Sequence, residues 1–295
     1  MILSLLFFTF SFVFYGITAI LYIGSWVFRK KWLGQTATAM ALVAAFSTSM
    51  ILIVRAMEAG HAPFSNLYES MILFVWAVNV GYLVMEHRHR FRVMGAFVMT
   101  FEVIAMLSAS LLPYRFKSAE PLNPALQNKW HWMVDLLSRW GVEKYAIGWL
   151  DFHVFTTFIG YAGFAISFGI SIMFLLKNRV EESGRKTALM DAFPEARVLD
   201  ELGYRAIAWG FPFLTTGIIS GAVWANYAWG TYWSWDPKET WSLITWFIYA
   251  AYLHARVTRG WRGRKAAYLS IAGFLAVIFL YWGVSFILPG LHAYA

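Results

Sequence analysis

The chain has 295 residues, of which 60% are hydrophobic and only 14% carry a charge. With a mean hydropathy of +0.56, it lacks the polar side chains that the surface of a soluble domain of this length needs. The composition therefore excludes a soluble globular protein and predicts an integral membrane protein. The net charge of +8 comes from Lys and Arg residues in the connections between apolar segments. We interpret it as a signal of membrane topology and not of nucleic-acid binding.

Apolar segments long enough to span a bilayer, roughly 20 residues each, recur eight times along the chain. Lipid offers no hydrogen-bond partner to the backbone, so each span must be helical. The predicted fold is an all-α integral membrane protein, a bundle of about eight transmembrane helices within a single polytopic domain over residues 1–295. The predicted spans are 3–28, 36–55, 66–85, 92–112, 153–176, 204–224, 241–258 and 267–288.

Lysine and arginine are distributed unequally between the connections. Of the 24 such residues, 17 lie in the connections around 29–31, 88–92, 177–205 and 256–265. Cytoplasmic connections are rich in Lys and Arg, so these ends are predicted to be cytoplasmic and both termini to lie outside. The first apolar segment has no basic stretch before it, which argues against a cleaved signal peptide.

The chain contains no cysteine, so it can neither perform thiol redox chemistry itself nor ligate a metal through thiolate. Two connections are long. The outer one, residues 113–152, includes the stretch 130–140 with apolar residues at helical spacing. The inner one, residues 177–203, is charged and is predicted to form a short solvated helix. Neither carries a motif with recognisable chemistry.

A further outer connection, residues 221–241, is unusually rich in tryptophan. Five tryptophans fall within eighteen residues: Trp224, Trp229, Trp233, Trp235 and Trp241. This is more than an interfacial belt requires, and it predicts an aromatic platform for a large flat ligand. Asp236, Pro237 and Glu239 predict the start of the next helix, as N-cap, first helical residue and capping-box partner.

The chain has seven histidines, and two of them stand at predicted outer ends of spans. His153 begins the fifth span and His292 follows the eighth. Two neutral imidazoles facing each other across an aromatic slot are what a hexacoordinate haem iron requires. The alternative is that both residues cap helix ends at the membrane interface. The spacing along the chain leaves both possibilities open.

Two ionisable residues are predicted to lie inside the membrane. His254 is expected roughly 27 Å along its helix, toward the inner leaflet. There it either has a functional role or reaches the cytoplasmic surface beside Arg256. Glu102 lies in the middle of the fourth span and is predicted to be paired with another buried group. His87 and His89 alternate with arginines, which favours a solvated anchor.

The Trp-rich stretch resembles the WWD signature of haem-handling proteins, and among these it is most similar to the CcsA/ResC cytochrome c biogenesis proteins of System II. The segment in question is Gly221–Trp241. The resemblance extends over most of the chain, through Gly60–Ser70, His153, Tyr252–His254 and Gly290–Tyr294. These motifs are long and specific.

The resemblance implies a function in cytochrome c-type biogenesis. Members of this family bind haem b and present it on the WWD loop at the outer face of the membrane. With a CcsB-type membrane partner, they promote its covalent attachment to the Cys-x-x-Cys-His motif of apocytochrome c, as haem lyase or cytochrome c synthetase subunits. Thiol-reducing proteins take part indirectly. The implied location is a bacterial cytoplasmic (inner) membrane, multi-pass, with the site facing the periplasm or the outside.

The resemblance also implies which residues form the site. His153 and His292 would be the axial ligands of the outer haem iron, and His254 would ligate an intramembrane haem whose other ligand belongs to the partner. No residue of this chain is implied as a catalyst, and His61 matches a family position without an assigned role. The residues expected around the outer haem are Trp224, Trp229, Trp233, Trp235 and Asp236, with Lys238 and Arg55 as candidates for its propionates.

Two other classes of function remain open from the residues alone. The protein could transport a different substrate, with the Trp-rich connection as a gate. It could also be a structural membrane subunit without a ligand site. A haem protein is red and has a Soret band, whereas a gate is colourless.

Overall fold

The computed structural model describes residues 2–113, 117, 128–184, 187–288 and 290. Of the described residues, 82% are helical and none belongs to a strand. The helices are α1 (Ile2–Phe28), α2 (Lys31–Ala59), α3 (Leu67–His89), α4 (Met94–Leu111), α5 (His131–Ser138), α6 (Trp149–Glu182), α7 (Ala196–Trp229), α8 (Pro237–Thr258), α9 (Arg264–Ile278) and α10 (Val284–Ile287). A π-helical turn, Phe279–Gly283, joins α9 to α10.

Seven helical segments among the described residues are long and apolar enough to cross a membrane. They are α1 to α4, α6, α7 and the continuous segment Arg264–Ile287. This confirms the predicted all-α membrane bundle. The predicted span 241–258 forms α8, which is 22 residues long but is not among these seven. Its first turn carries Lys238 and Glu239, and its last turn carries Arg256.

The helices on either side of two predicted connections are longer than expected. Residues 221–229 continue α7 and residues 237–241 begin α8, so the Trp-rich connection itself is only residues 230–236. The inner connection is also shortened, because α6 extends to Glu182 and α7 begins at Ala196. Its described residues contain one 3₁₀ turn, Met190–Ala192, in place of the expected solvated helix. Apolar periodicity did not mark these ends, because helices of 34 residues extend well beyond the hydrocarbon core.

Small residues bring α6 and α7 into backbone contact. A Cβ built on Gly160 would lie 2.9 Å from the amide nitrogen of Leu214, and one on Gly210 would lie 2.8 Å from the carbonyl oxygen of Gly160. Close approach of this kind favours helix association where lipid supplies no hydrophobic driving force. The crossing holds the first turns of α6 against the last turns of α7.

The connections gather at two ends of the bundle. At the end that we call the basic end, where α1 meets α2, the Trp26 indole donates to the Leu189 carbonyl oxygen at 2.9 Å. At the opposite end, which we call the Trp end, the Trp-rich connection lies near the π turn. Here the Tyr281 hydroxyl lies 2.7 Å from Ser70 Oγ and donates to the Leu67 carbonyl oxygen at 3.1 Å.

Buried polar side chains lie between α1, α2, α3 and α4. The Tyr15 hydroxyl accepts from Asn79 Nδ2 at 3.0 Å and from Thr48 Oγ1 at 3.3 Å. Glu102 is fully buried in α4, yet neither of its carboxyl oxygens has a hydrogen-bond partner among the described residues. The expected pairing of Glu102 is therefore not found there.

Candidate functional site

A cavity of about 120 Å³ lies at the Trp end, between α6, α7, α8 and the π turn. We call it the Trp-end cavity. Its walls come from separate parts of the chain, with His153 on α6, Gly221 on α7, Trp233 in the connection, Lys238 on α8 and Tyr281 in the π turn. The lining thus combines aromatic rings with an imidazole and an ammonium group.

The tautomer of His153 follows from its hydrogen bond. Its Nδ1 atom lies 2.6 Å from the carbonyl oxygen of Gly217 on α7. A carbonyl oxygen can only accept, so Nδ1 carries the proton and donates. In the neutral imidazole the lone pair is then on Nε2. Metal-binding histidines are typically held this way, with the second ring nitrogen donating to a carbonyl or carboxylate.

Packing against a glycine fixes the same ring from another side. A Cβ built on Gly221 would lie 2.6 Å from His153 Cε1, so even alanine at this position would displace the imidazole. Gly217 and Gly221 stand one helical turn apart on α7. Sequence reasoning missed both of them, although two glycines four residues apart in a predicted span are a signal for close approach of a neighbouring group.

The Trp-rich connection is fixed to the start of α8. The Glu239 carboxylate accepts hydrogen bonds from Ser234 N at 2.7 Å, Ser234 Oγ at 3.1 Å and Asp236 N at 3.2 Å. The Asp236 carboxylate accepts from Lys238 N at 2.9 Å. The predicted N-cap, proline and capping box are all confirmed. Trp235 has a φ of 60°, in the left-handed region that favours glycine.

The tryptophans form pairs at the Trp end. Trp224 is buried and packs edge-on against Trp229, with 4.8 Å between ring centroids. Trp233 lines the Trp-end cavity and meets Trp235 edge-on at 5.8 Å. Trp235 is 68% exposed. The inner pair lies on α7, and Trp233 is the member of the outer pair that lines the cavity. The aromatic platform for a large flat ligand stays a prediction.

Lys238 and Arg55, the two candidates for binding a carboxylate group of a ligand, have different environments. Lys238 lines the Trp-end cavity. Burial lowers its pKa to about 8, and the negative charge of Asp236 opposes that shift. Arg55 is buried, and its guanidinium lies 2.8 Å from the Glu69 carboxylate and 2.9 Å from the Lys117 carbonyl oxygen. Arg55 therefore serves an internal ion pair, and Lys238 is the cation of the cavity.

His292 lies outside the described residues, so its predicted approach to His153 stays a prediction. Gly290, two residues earlier, is described. A Cβ at Gly290 would overlap the carboxylate of Asp236. The chain leading to His292 therefore passes directly against the capped start of α8, at the Trp end.

Two other histidines have different surroundings. His254 is exposed on α8, one turn before the helix ends at Thr258. At 1.5 Å per residue it lies roughly 24 Å along the helix from Lys238, so the structure does not bring it to the Trp-end cavity. His61 is buried between α2 and α3, with Nδ1 2.8 Å from the Ala62 carbonyl oxygen.

The fold and this cavity define a multi-pass membrane protein with an aromatic and polar site at one end of its helix bundle. A family model described as Cytochrome C assembly protein matches residues 145–292, the part of the chain that builds most of the cavity. The cytochrome c biogenesis protein CcsA of Guillardia theta is 38% identical over 86% of this chain and 83% of its own length. The chain belongs to the CcsA family of cytochrome c biogenesis proteins.

Other relatives support the same family, and one solved structure shares the fold. CcsA of Crocosphaera subtropica is 38% identical over 96% of this chain and 95% of its own, and CcsA of Gloeobacter violaceus is 37% identical over 94% and 91%. The structure of the cytochrome c haem lyase CcmF matches 95% of this chain with a TM-score of 0.64 at 18% identity. That likeness shows a shared fold, and this chain spans 46% of the CcmF chain.

Proposed function

We propose that this protein binds haem at the Trp-end cavity and presents it, at the outer face of a bacterial cytoplasmic membrane, for attachment to the Cys-x-x-Cys-His motif of apocytochrome c. The observation that carries the proposal is the geometry of His153. Its Nδ1 donates to the Gly217 carbonyl oxygen, the arrangement typical of metal-binding histidines, in which Nε2 carries the lone pair. Membership in a cytochrome c biogenesis family supports haem as the ligand.

The residues around the cavity suit haem as a substrate that is only partly enclosed. Trp233 offers an aromatic face, His153 an axial ligand and Lys238 a cation for a propionate. The cavity, at about 120 Å³, is smaller than the roughly 300–1,000 Å³ that usually encloses a ligand. A haem of which only one part is enclosed in the cavity would remain accessible to a second protein. Attachment to apocytochrome c requires such access.

His292 is the proposed second axial ligand. The contact between Gly290 and Asp236 supports this assignment, because it brings the preceding chain to the start of α8. Lys238, which lines the cavity, lies in the first turn of the same helix. A span of two residues reaches about 7 Å at most, which supports a role for His292 at the same end of the bundle as Gly290.

The chain's own contribution is positioning. Haem supplies two vinyl groups, and each thiol of the apocytochrome adds its sulfur and its hydrogen across one carbon–carbon double bond to form a thioether. This chain has no cysteine, so the reacting thiols are those of the apocytochrome, which thiol-reducing proteins keep reduced. His153 would hold the iron, and the Glu239-bound Trp connection would orient the macrocycle. The histidine of the apocytochrome motif would then replace one axial ligand.

His254 is proposed to ligate a second haem together with a CcsB-type partner. Its exposure on the surface of α8 is what a ligand shared between two proteins requires. Co-expression with and without that partner tests this role. His254→Ala should lower haem content only when the partner is present, and an equal haem content in wild type and variant would overturn the assignment.

Haem content of the purified protein tests the main proposal. His153→Ala and His292→Ala should each lose most of the Soret absorbance per mole of protein, and added imidazole should restore part of it by occupying the vacated position. His131→Ala, which changes an exposed histidine of α5 at the same end, is the matched control and should retain haem. Unchanged haem in both ligand variants would refute the proposal.

The gate of a different transporter is the alternative function. The three hydrogen bonds that Glu239 accepts from Ser234 and Asp236 fix the connection and disfavour a moving gate. Trp233→Ala separates the two functions. It should weaken haem retention while the protein still inserts into the membrane, whereas a gate variant would show no change in a Soret band.

A further inference from the structure

A second cavity, of about 500 Å³, lies at the basic end, where α1 meets α2 and α3 meets α4. We call it the basic cavity. Its walls are formed by residues of the α1–α2 connection, the α3–α4 connection and the 3₁₀ turn Met190–Ala192. Five cations line it, against the single carboxylate of Asp191: Arg29, Lys30, Lys31, Arg90 and Arg92.

Most of this positive charge is not neutralised. Arg29 lies 3.4 Å from Asp191, and Arg92 lies 3.3 Å from Glu86. Across the described ranges, the other three cations of the cavity, Lys30, Lys31 and Arg90, have no ion pair. Like charges held around one concave space repel each other, and a bound anion relieves that repulsion.

The backbone adds to the positive potential. Helices α2 and α4 both begin at the basic cavity, and neither has a side-chain cap at its N-cap residue, Lys30 or Val93. The first three amides of α4 donate to the carbonyl oxygens of Phe91, Arg92 and Val93, so it is the dipoles of the two helices that favour an anion. Arg29 and Arg90 have φ values of 57° and 62°, a region that glycine usually occupies. Each connection therefore carries a guanidinium at a position where the backbone conformation favours glycine.

The rim of the basic cavity is apolar. Trp26 and Phe91 line it, and Val27, Phe28 and Trp32 beside it are 46%, 67% and 59% exposed. We propose that the basic cavity binds the phosphate headgroup of an anionic phospholipid, whose acyl chains lie along this rim. Basic pockets beside membrane helices recognise lipid headgroups in this way, whereas a soluble phosphate would make no use of the apolar rim.

Lipid titration of the full-length protein tests the proposal without reference to haem. Binding of phosphatidylglycerol and of phosphatidylcholine is measured by native mass spectrometry. Protection of the protein against thermal unfolding is measured as the change in its thermal midpoint when lipid is added. The test variant is Lys31→Gln/Arg90→Gln. The matched control is Arg259→Gln/Arg262→Gln, which removes two exposed cations from the α8–α9 connection at the same end. Lys30→Gln/Lys31→Gln is a second test variant that leaves the end of α3 unchanged.

We expect phosphatidylglycerol to bind the wild type at least tenfold more tightly than phosphatidylcholine. Both test variants should lose that preference at least tenfold, while the control variant stays within twofold of wild type. Three results would overturn the proposal. They are the absence of a preference in the wild type, equal losses in test and control variants, and thermal protection by inorganic phosphate as strong as that by phosphatidylglycerol.

Discussion

The imidazole of His153 occupies the space that a side chain at Gly221 would need. The ring is held by a hydrogen bond to the backbone of one turn of α7 and by packing against the backbone of the next. Its orientation is therefore a property of the α6–α7 crossing. A change that separates these two helices should therefore alter the orientation of the His153 ring even when the fold is retained.

Gly221→Ala tests this relationship directly. The added methyl group would lie 2.6 Å from His153 Cε1, so the imidazole must move from its present position. We expect the affinity for haem to fall about tenfold, the equivalent of about 1.4 kcal/mol of binding free energy, and haem per mole of protein to fall with it. Gly203→Ala on the same helix is the control, because its Cβ would meet neighbours at an ordinary 3.5 Å. Equal haem content in the two variants would contradict the prediction.

Haem retention should depend on pH through Lys238. Its pKa is lowered to about 8 by burial, and lysine is charged in its protonated form. Its charge is therefore present at neutral pH and disappears as the pH rises through about 8, so a propionate held there should be released faster at pH 9 than at pH 7. Lys238→Arg keeps its charge at both values. The dissociation rate, followed by transfer of haem to apomyoglobin, should rise with pH in the wild type and stay flat in this variant.

Arg55 and Glu69 form a buried ion pair at the Trp end, 2.8 Å apart and each at most 5% exposed at the side chain. Arg55→Met would leave a buried carboxylate without its counter-charge, which costs about 3–5 kcal/mol of stability. Arg55→Met/Glu69→Met removes both charges and should recover most of that loss. Thermal unfolding in detergent measures both variants. A double variant as unstable as the single one would show that the pair itself, and not the orphaned charge, matters.

Glu102 should be a stability liability. Its side chain is fully buried, and within the described part of the chain neither oxygen accepts or donates a hydrogen bond. A buried polar group without a partner costs about 1–3 kcal/mol, so Glu102→Leu should raise the thermal midpoint while haem content stays constant. A lowered midpoint would instead reveal that Glu102 has a stabilising partner in the complete protein.

Local features were predictable from the residues. The start of α8 is an example, because Asp236, Pro237 and Glu239 act within one helical turn. The existence of the long helices was also predictable, since lipid forces apolar segments into helices. Their ends were not, because α7 continues through Trp229 into a region whose aromatic composition suggested a loop.

Long-range features could not be derived in this way. Nothing in the local sequence indicates that Tyr281 would reach Ser70, or that α9 would end in a π turn. The roles of Arg55 and Lys238 were equally undecided, since both are outward-facing cations in sequence. The partner of Arg55 is on another helix, and Lys238 lines a cavity whose walls come from distant parts of the chain.

By itself, the sequence determined that this is a helical membrane protein of the cytochrome c biogenesis class, because hydropathy, capping and a long Trp-rich motif depend on neighbours a few residues apart. Only the tertiary structure decided which nitrogen of His153 carries the proton, which cation lines the cavity and where the basic cavity lies. Those properties arise from helix crossings between distant segments. The free energy of such a crossing is set by the shape and polarity of both surfaces together, which neither segment encodes alone.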